Sequence, residues 1–182
     1  MITPQHQLVF TGIALLCADV GSIHDLHDRR IPNWVTGPAI LAGLMLHSYT
    51  GRWSGLADSV LAGLIAGGIA LVFFIAGGMG AGDVKLMTGV GCVAGIASQQ
   101  ELLVSIAFTG AVFGLVLSAY RGRLRETLSN VSALLAHFRR QGFKPHPELN
   151  LENPATLRLP FALPIAAGCL VTLCSVALEA RL

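Results

Sequence analysis

Long, nearly unbroken runs of apolar residues alternate with a few short polar clusters along the chain. The runs cover about Leu8–His24, Trp34–Tyr49, Leu56–Ala76, Asp83–Ala97, Leu102–Tyr120 and Leu159–Leu178. Runs approaching ~20 residues match the hydrocarbon thickness crossed by one helix. The pattern therefore predicts an all-α bundle of about six transmembrane helices. The second run is short for a span and fits a little-tilted helix or a thin region.

The polar clusters set the expected ends of these helices. In Asp25-Leu26-His27-Asp28-Arg29-Arg30-Ile31-Pro32-Asn33, Pro32 disfavours helical geometry at Ile31, so the first helix should stop near Arg30. Thr50 to Gly55 reads as a turn with an interfacial Trp53, and Ser98 to Glu101 as another. Between the third and fourth runs lies Gly77-Gly78-Met79-Gly80-Ala81-Gly82-Asp83-Val84-Lys85, a glycine-dense hinge carrying one acid and one base. Gly63 and Gly67 form a small-xxx-small pair that permits close helix contact. Pro160 and Pro164 open the last run, where Pro164 is a candidate kink.

The one long hydrophilic segment spans residues 121–158. Within it Leu124, Leu128, Val131, Leu135 and Phe138 recur at helical spacing, flanked by Arg121, Arg123, Arg125, Arg139 and Arg140. Two readings stay open for this stripe: a helix lying on an anionic membrane face, or a cytosolic helix covering the end of the bundle. Gly142 to Pro154 should be irregular.

Composition agrees with a polytopic membrane protein. The 182 residues are 53% hydrophobic and 12% charged, with a mean hydropathy of +0.67, against about 25% charged residues in soluble domains. We read residues 1–182 as a single membrane-embedded domain, with 121–158 its basic, partly amphipathic cytoplasmic segment. A net charge of +2 without a dense basic run argues against nucleic acid as a partner. Cys17, Cys92, Cys169 and Cys174 form no CxxC pair and read as small buried apolar residues. The histidines lack metal-ligand spacing, so neither a metal nor another cofactor is expected. The N-terminus has no positive region of a cleavable signal, so the first run should be retained.

Charge also orients the bundle. Of the 12 Lys and Arg residues, ten (Arg29, Arg30, Lys85, Arg121, Arg123, Arg125, Arg139, Arg140, Lys144 and Arg158) follow the first, third and fifth runs. Only Arg52 and Arg181 fall on the opposite side. The positive-inside rule then turns the segments bearing Asp25 and Asp83 to the cytoplasm and both termini outward.

An ionised carboxylate beside hydrocarbon is costly, so acids at these depths are functional candidates. Asp25 and Asp83 share one side and a similar depth. Two adjacent carboxylates resist ionising together, and the proton they share suits hydrolysis: one takes a proton from water while the other donates to the carbonyl oxygen. Asp19 is the rival to Asp25, but lies about 9 Å deeper along the helix. Asp28 reads as a solvated partner of Arg29 and Arg30. Lys85 could bias the pair, hold a peptide carbonyl, or snorkel and mark topology.

Asp25, seven residues before the proline of Ile31-Pro32-Asn33, resembles the first signature of the type IV prepilin peptidases. Gly80-Ala81-Gly82-Asp83 followed by Val84-Lys85 resembles their second, the GxGD motif. The resemblance extends to six spans, a basic segment before the last, and the stretch Leu159 to Pro164. It implies a membrane aspartic endopeptidase with Asp25 and Asp83 as its catalytic pair, supported by Gly80, Gly82, Lys85, Pro32 and Asn33. It also implies a bacterial inner-membrane enzyme that removes the leader from pilin-like precursors at the cytoplasmic face. The chain lacks paired CxxC motifs and so resembles the short form found with Flp or tight-adherence pili, with no methyltransferase activity inferred. His27 stands where such members often carry arginine. The alternatives are a related GxGD protease, intramembrane or preflagellin-type, and a non-enzymatic membrane transporter or assembly scaffold.

Overall fold

The computed structural model describes residues 4–142 and 160–180. The described residues form five helices: α1 (Pro4–Asp28), α2 (Asn33–Ile75), α3 (Ala81–Tyr120), α4 (Leu124–Gln141) and α5 (Ala162–Glu179). Four of them, all but α4, are long and apolar enough to cross a membrane. The second and third expected spans lie within α2, and the fourth and fifth within α3. The segment 143–159, where irregular structure was expected through Pro154, lies outside the described residues.

Neither long helix is straight. A 43-residue α2 would reach about 65 Å at 1.5 Å per residue, yet Arg52 leaves helical geometry with φ 52 and ψ −130. A Cβ at Gly55 would collide with the carbonyl oxygen of His47, and His47 Nδ1 lies 3.5 Å from Asp58 Oδ2. Residues 8 and 11 positions apart in sequence meet only if the chain doubles back. The expected turn at Thr50–Gly55 is therefore real, but compressed onto one residue.

In α3 the break falls at Gly95 (φ 73, ψ 173), while Ser98 to Glu101, expected as the turn, is helical. The left-handed φ is what a glycine supplies at little cost, and that signal outranks the polarity of the later cluster. Beyond the break α3 runs antiparallel to α5: Glu101 bonds Ser175, Gly168 packs on Ile106, and Thr109 Oγ1 donates to Pro164 O at 2.8 Å. Both ends of α3 thus come back toward the start of α5. Ser98 and Gln99 are buried without side-chain partners among the described residues, and nothing in the structure explains them.

The first half of α3 packs against both halves of α2. Side chains at Gly43 or Gly63 would run into Cys92, and one at Gly67 into the hydroxyl of Thr88. The Gly63/Gly67 pair is thus spent inside the chain, where missing Cβ atoms let backbones close up. The central core gathers Ala14 and Ala18 of α1, Leu86, Val90 and Val93 of α3, and Ile165 of α5.

Other expectations need adjusting. The first helix stops at Asp28, where Arg29 takes φ 50. Pro164 sits in the first turn of α5, where the missing N–H is tolerated, and makes no break. Cys92 and Cys169 are buried and Cys17 is half-buried, whereas Cys174 is exposed; all four are free thiols.

Candidate active site

The hinge between α2 and α3 is built by its glycines. At the end of α2, Gly77 N donates to Phe74 O and Gly78 N to Phe73 O, both at 2.9 Å, with Gly77 at φ 78. That paired closure, with a left-handed glycine just beyond the helix, stops α2 and turns the chain. Gly80 then takes an extended conformation as the N-cap of α3, and its N–H donates to Asp83 Oδ2 at 3.2 Å. Asp83 is thereby fixed in the first turn of α3, where the helix dipole favours a negative group.

The second motif is brought against this hinge by close packing. Pro32 caps α2 with extended geometry (φ −73, ψ 148). A Cβ on Gly82 would lie 3.2 Å from Cβ of Ile31, so the approach depends on that glycine having no side chain. Lys85 Nζ donates to Asn33 Oδ1 at 2.8 Å, an exposed clasp between the two motifs. Lys85 therefore neither snorkels alone nor reaches the carboxylates; it ties the start of α2 to the start of α3.

Asp25 stands one turn before the end of α1, and Arg29 N donates to its carbonyl at 3.0 Å. Its carboxylate lies near Ala162, in the first turn of α5, and close enough to Asp83 for their charges to interact. Helix N-termini carry N–H groups without intrahelical partners, and the start of α5 brings such groups near Asp25. Ser22, three residues earlier on the same face, donates to Ala162 O at 2.7 Å and also approaches Ala18 O at 2.8 Å. Ser22 and Ala162 were not singled out from the sequence. The signal was the i, i+3 spacing of a small polar residue ahead of Asp25.

What remains open at the carboxylates matters chemically. Asp25 Oδ2 and Asp83 Oδ1 are buried and have no hydrogen-bond partner among the described residues. Asp83 is held by one backbone donor, and each acid keeps one buried oxygen uncommitted. Such an arrangement can bind and deprotonate a water or protonate a substrate oxygen.

The neighbouring acids behave differently. Asp19 is exposed, six residues before Asp25 on α1, and lies near enough to Cys169 of α5 for its charge to act there. Asp28 pairs with His27 (2.9 Å) and lies 3.8 Å from His24, rather than joining Arg29 and Arg30 as expected. The imidazoles on the same helix turn reach it first.

The profile of the type IV leader peptidase family matches residues 9–119 of the chain. Comparison with curated proteins and with solved structures finds no match.

Proposed function

The chain belongs to the type IV leader peptidase family, and on that premise we propose that it is an aspartic endopeptidase using Asp25 and Asp83 as its catalytic pair. The observation that carries this reading is the meeting of two acids from distant motifs, each with a buried, unengaged oxygen. In the proposed reaction the ionised carboxylate takes a proton from water as the oxygen attacks the scissile carbonyl. The protonated partner donates to the carbonyl oxygen. Collapse of the tetrahedral species breaks the C–N bond, and a carboxyl proton passes to the departing amine. One water is consumed, giving a new carboxylate and a new N-terminus, and no cofactor or metal is needed.

The remaining proposals rest on sequence. With α2 and α3 each doubled back, the chain would cross a bacterial inner membrane six times, with both termini outside. The ten-to-two distribution of Lys and Arg then turns the site to the cytoplasm. The substrate would be a pilin-like precursor of the Flp type, cleaved at the end of its leader without methylation. Gly80 and Gly82 shape the Asp83 turn, while Pro32, Asn33 and Lys85 hold the two motifs in register.

The test is co-expression with pilin-like precursors and mass spectrometry of the product. A new N-terminus at the leader boundary is expected from the wild type, and none from Asp25→Asn or Asp83→Asn. Cleavage within the apolar segment would instead favour an intramembrane protease. Intact precursor with wild-type enzyme, across all Flp-type candidates, would count against the reading.

A further inference from the structure

Helix α4 is out of place in a helix bundle. Among the described residues it packs against no helix except α3. Its apolar residues Leu124, Leu128 and Val131, spaced four and three apart on one face, are 38%, 54% and 50% exposed. A helix that covered the end of the bundle would have buried this stripe. Among the described residues, this exposure argues against the cytosolic-cover reading and leaves the amphipathic face with nothing packed against it.

Two independent features say what lies there. The first is position. After Thr109 meets Pro164 at the start of α5, α3 continues for about 15 Å at 1.5 Å per residue. Val112, Phe113, Leu115 and Val116 remain exposed along that stretch. This apolar wall stops at Tyr120, which is 90% exposed and followed directly by Arg121. An aromatic residue and then a cation mark the water boundary of a membrane helix. Leu124 therefore begins α4 at the level of the lipid headgroups.

The second is charge. Glu126 is the one acid in α4, and Arg123 neutralises it with bonds of 2.8 and 2.9 Å. Arg121, Arg125 and Arg139 are exposed. On a helical projection, Arg125 and Arg139 fall along one edge of the apolar stripe. Apolar residues in the centre with arginines at the margin match an interfacial helix, its stems in the acyl boundary and its guanidinium groups at anionic headgroups.

We propose that α4 is a membrane-surface anchor that lies flat on the cytoplasmic leaflet and prefers anionic lipid. The lipid surface is the occupant of the exposed stripe, and α3 is the stalk that delivers α4 to it. This role is separate from peptide hydrolysis and does not depend on the catalytic assignment.

The test is hydrogen exchange of the intact chain in nanodiscs of phosphatidylcholine alone or with phosphatidylglycerol. Each arginine at an anionic surface is worth roughly fivefold in binding. Amides of 124–141 should therefore exchange many-fold more slowly in anionic discs. High salt should erase the difference, and so should Arg125→Gln with Arg139→Gln. Amides in the first half of α3 report on folding and should not change with lipid charge. Equal exchange of α4 in neutral and anionic discs would overturn the proposal. So would slow exchange that persists in lipid-free detergent or rises with protein concentration, because α4 would then be covered by protein. The lipid and salt arms need only the wild-type chain, so they stand even if the variants misfold.

Discussion

The molecule has a carboxylate beside a helix break at each end, and the two sit in different company. At one end Asp58 reaches across the break at Gly95. Its Oδ2 accepts from Ile96 N at 3.3 Å and lies 3.5 Å from the fully buried His47, whose Nε2 contacts Val93 O at 3.1 Å. Phe10 packs on the His47 ring at 4.5 Å between centroids, and Ser59 donates to Cys92 O at 2.8 Å. At the other end Asp83 accepts from Gly80 N, Asp25 lies within reach of its charge, and each acid leaves a buried oxygen free. An unsatisfied buried polar atom costs about 1–3 kcal/mol. Unmet buried atoms occur at both ends, since His47 Nδ1, Ser98 and Gln99 also have no hydrogen bond among the described residues. What sets Asp25 and Asp83 apart is that two carboxylates come within reach of each other, as the proposed catalytic role requires. Polar residues at a helix break can therefore serve structure or chemistry, and the partner of each carboxylate, an imidazole for Asp58 and a second acid for Asp83, distinguishes the two settings.

The largest expected contrast is catalytic. Asp25→Asn, Asp83→Asn and the double variant should each lose about 10²–10⁴ in cleavage rate, the double no more than the singles, because an acid and base acting on one water work as a unit. Thermal unfolding should stay near wild type in all three. A double variant whose losses multiply would mean that the carboxylates act separately.

At the opposite end the effect should move to stability. His47→Ala removes a buried ring and its contacts to Val93 and Asp58, and should cost about 2–4 kcal/mol. Cleavage per folded molecule should stay within about twofold, as distant sites behave independently. Denaturation in mixed micelles together with active-fraction measurement would check this. A variant that is stable but inactive would erase the distinction between the ends.

Gly67→Leu should destabilise by about 1–3 kcal/mol through overpacking against Thr88. An unchanged midpoint in the same unfolding experiment would show that α2 and α3 are less closely packed. The smallest effect should come from the clasp. Lys85→Met or Asn33→Ala removes one exposed hydrogen bond and should slow cleavage by about fivefold. The two changes combined should do no more than either alone. If Lys85 instead touched the reacting groups, only its variants would lower the rate, and by far more.

The helices and both motifs were legible because each depends on local pattern. Apolar runs identify membrane helices, and glycines and prolines mark where the chain turns. The offset of Asp25 from Pro32 and the spacing before Asp83 named the pair before any contact was seen. The breaks were harder. Ser98–Glu101 looked like a turn because it is polar, but the break needs a left-handed φ, which glycine adopts at little cost, so Gly95 set the position. His47 looked like an isolated histidine, because Asp58, Val93 and Phe10 reach it only after two chain reversals. Ser22 and Ala162 were hidden for a similar reason: their contact spans 140 positions. Whether α4 covered the bundle or faced away from it could not follow from an amphipathic stripe, which reads the same in both cases.

The most direct test is a side-by-side cleavage assay of Asp19→Asn and Asp25→Asn in reconstituted membranes, scaled to folded protein. Both acids belong to α1, but Asp19 is exposed and lies near Cys169, whereas Asp25 lies close enough to Asp83 for their charges to interact. The account predicts near-wild-type cleavage for Asp19→Asn and a loss of about 10²–10⁴ for Asp25→Asn. An active Asp25→Asn protein, above all beside an inactive Asp19→Asn one, would contradict it.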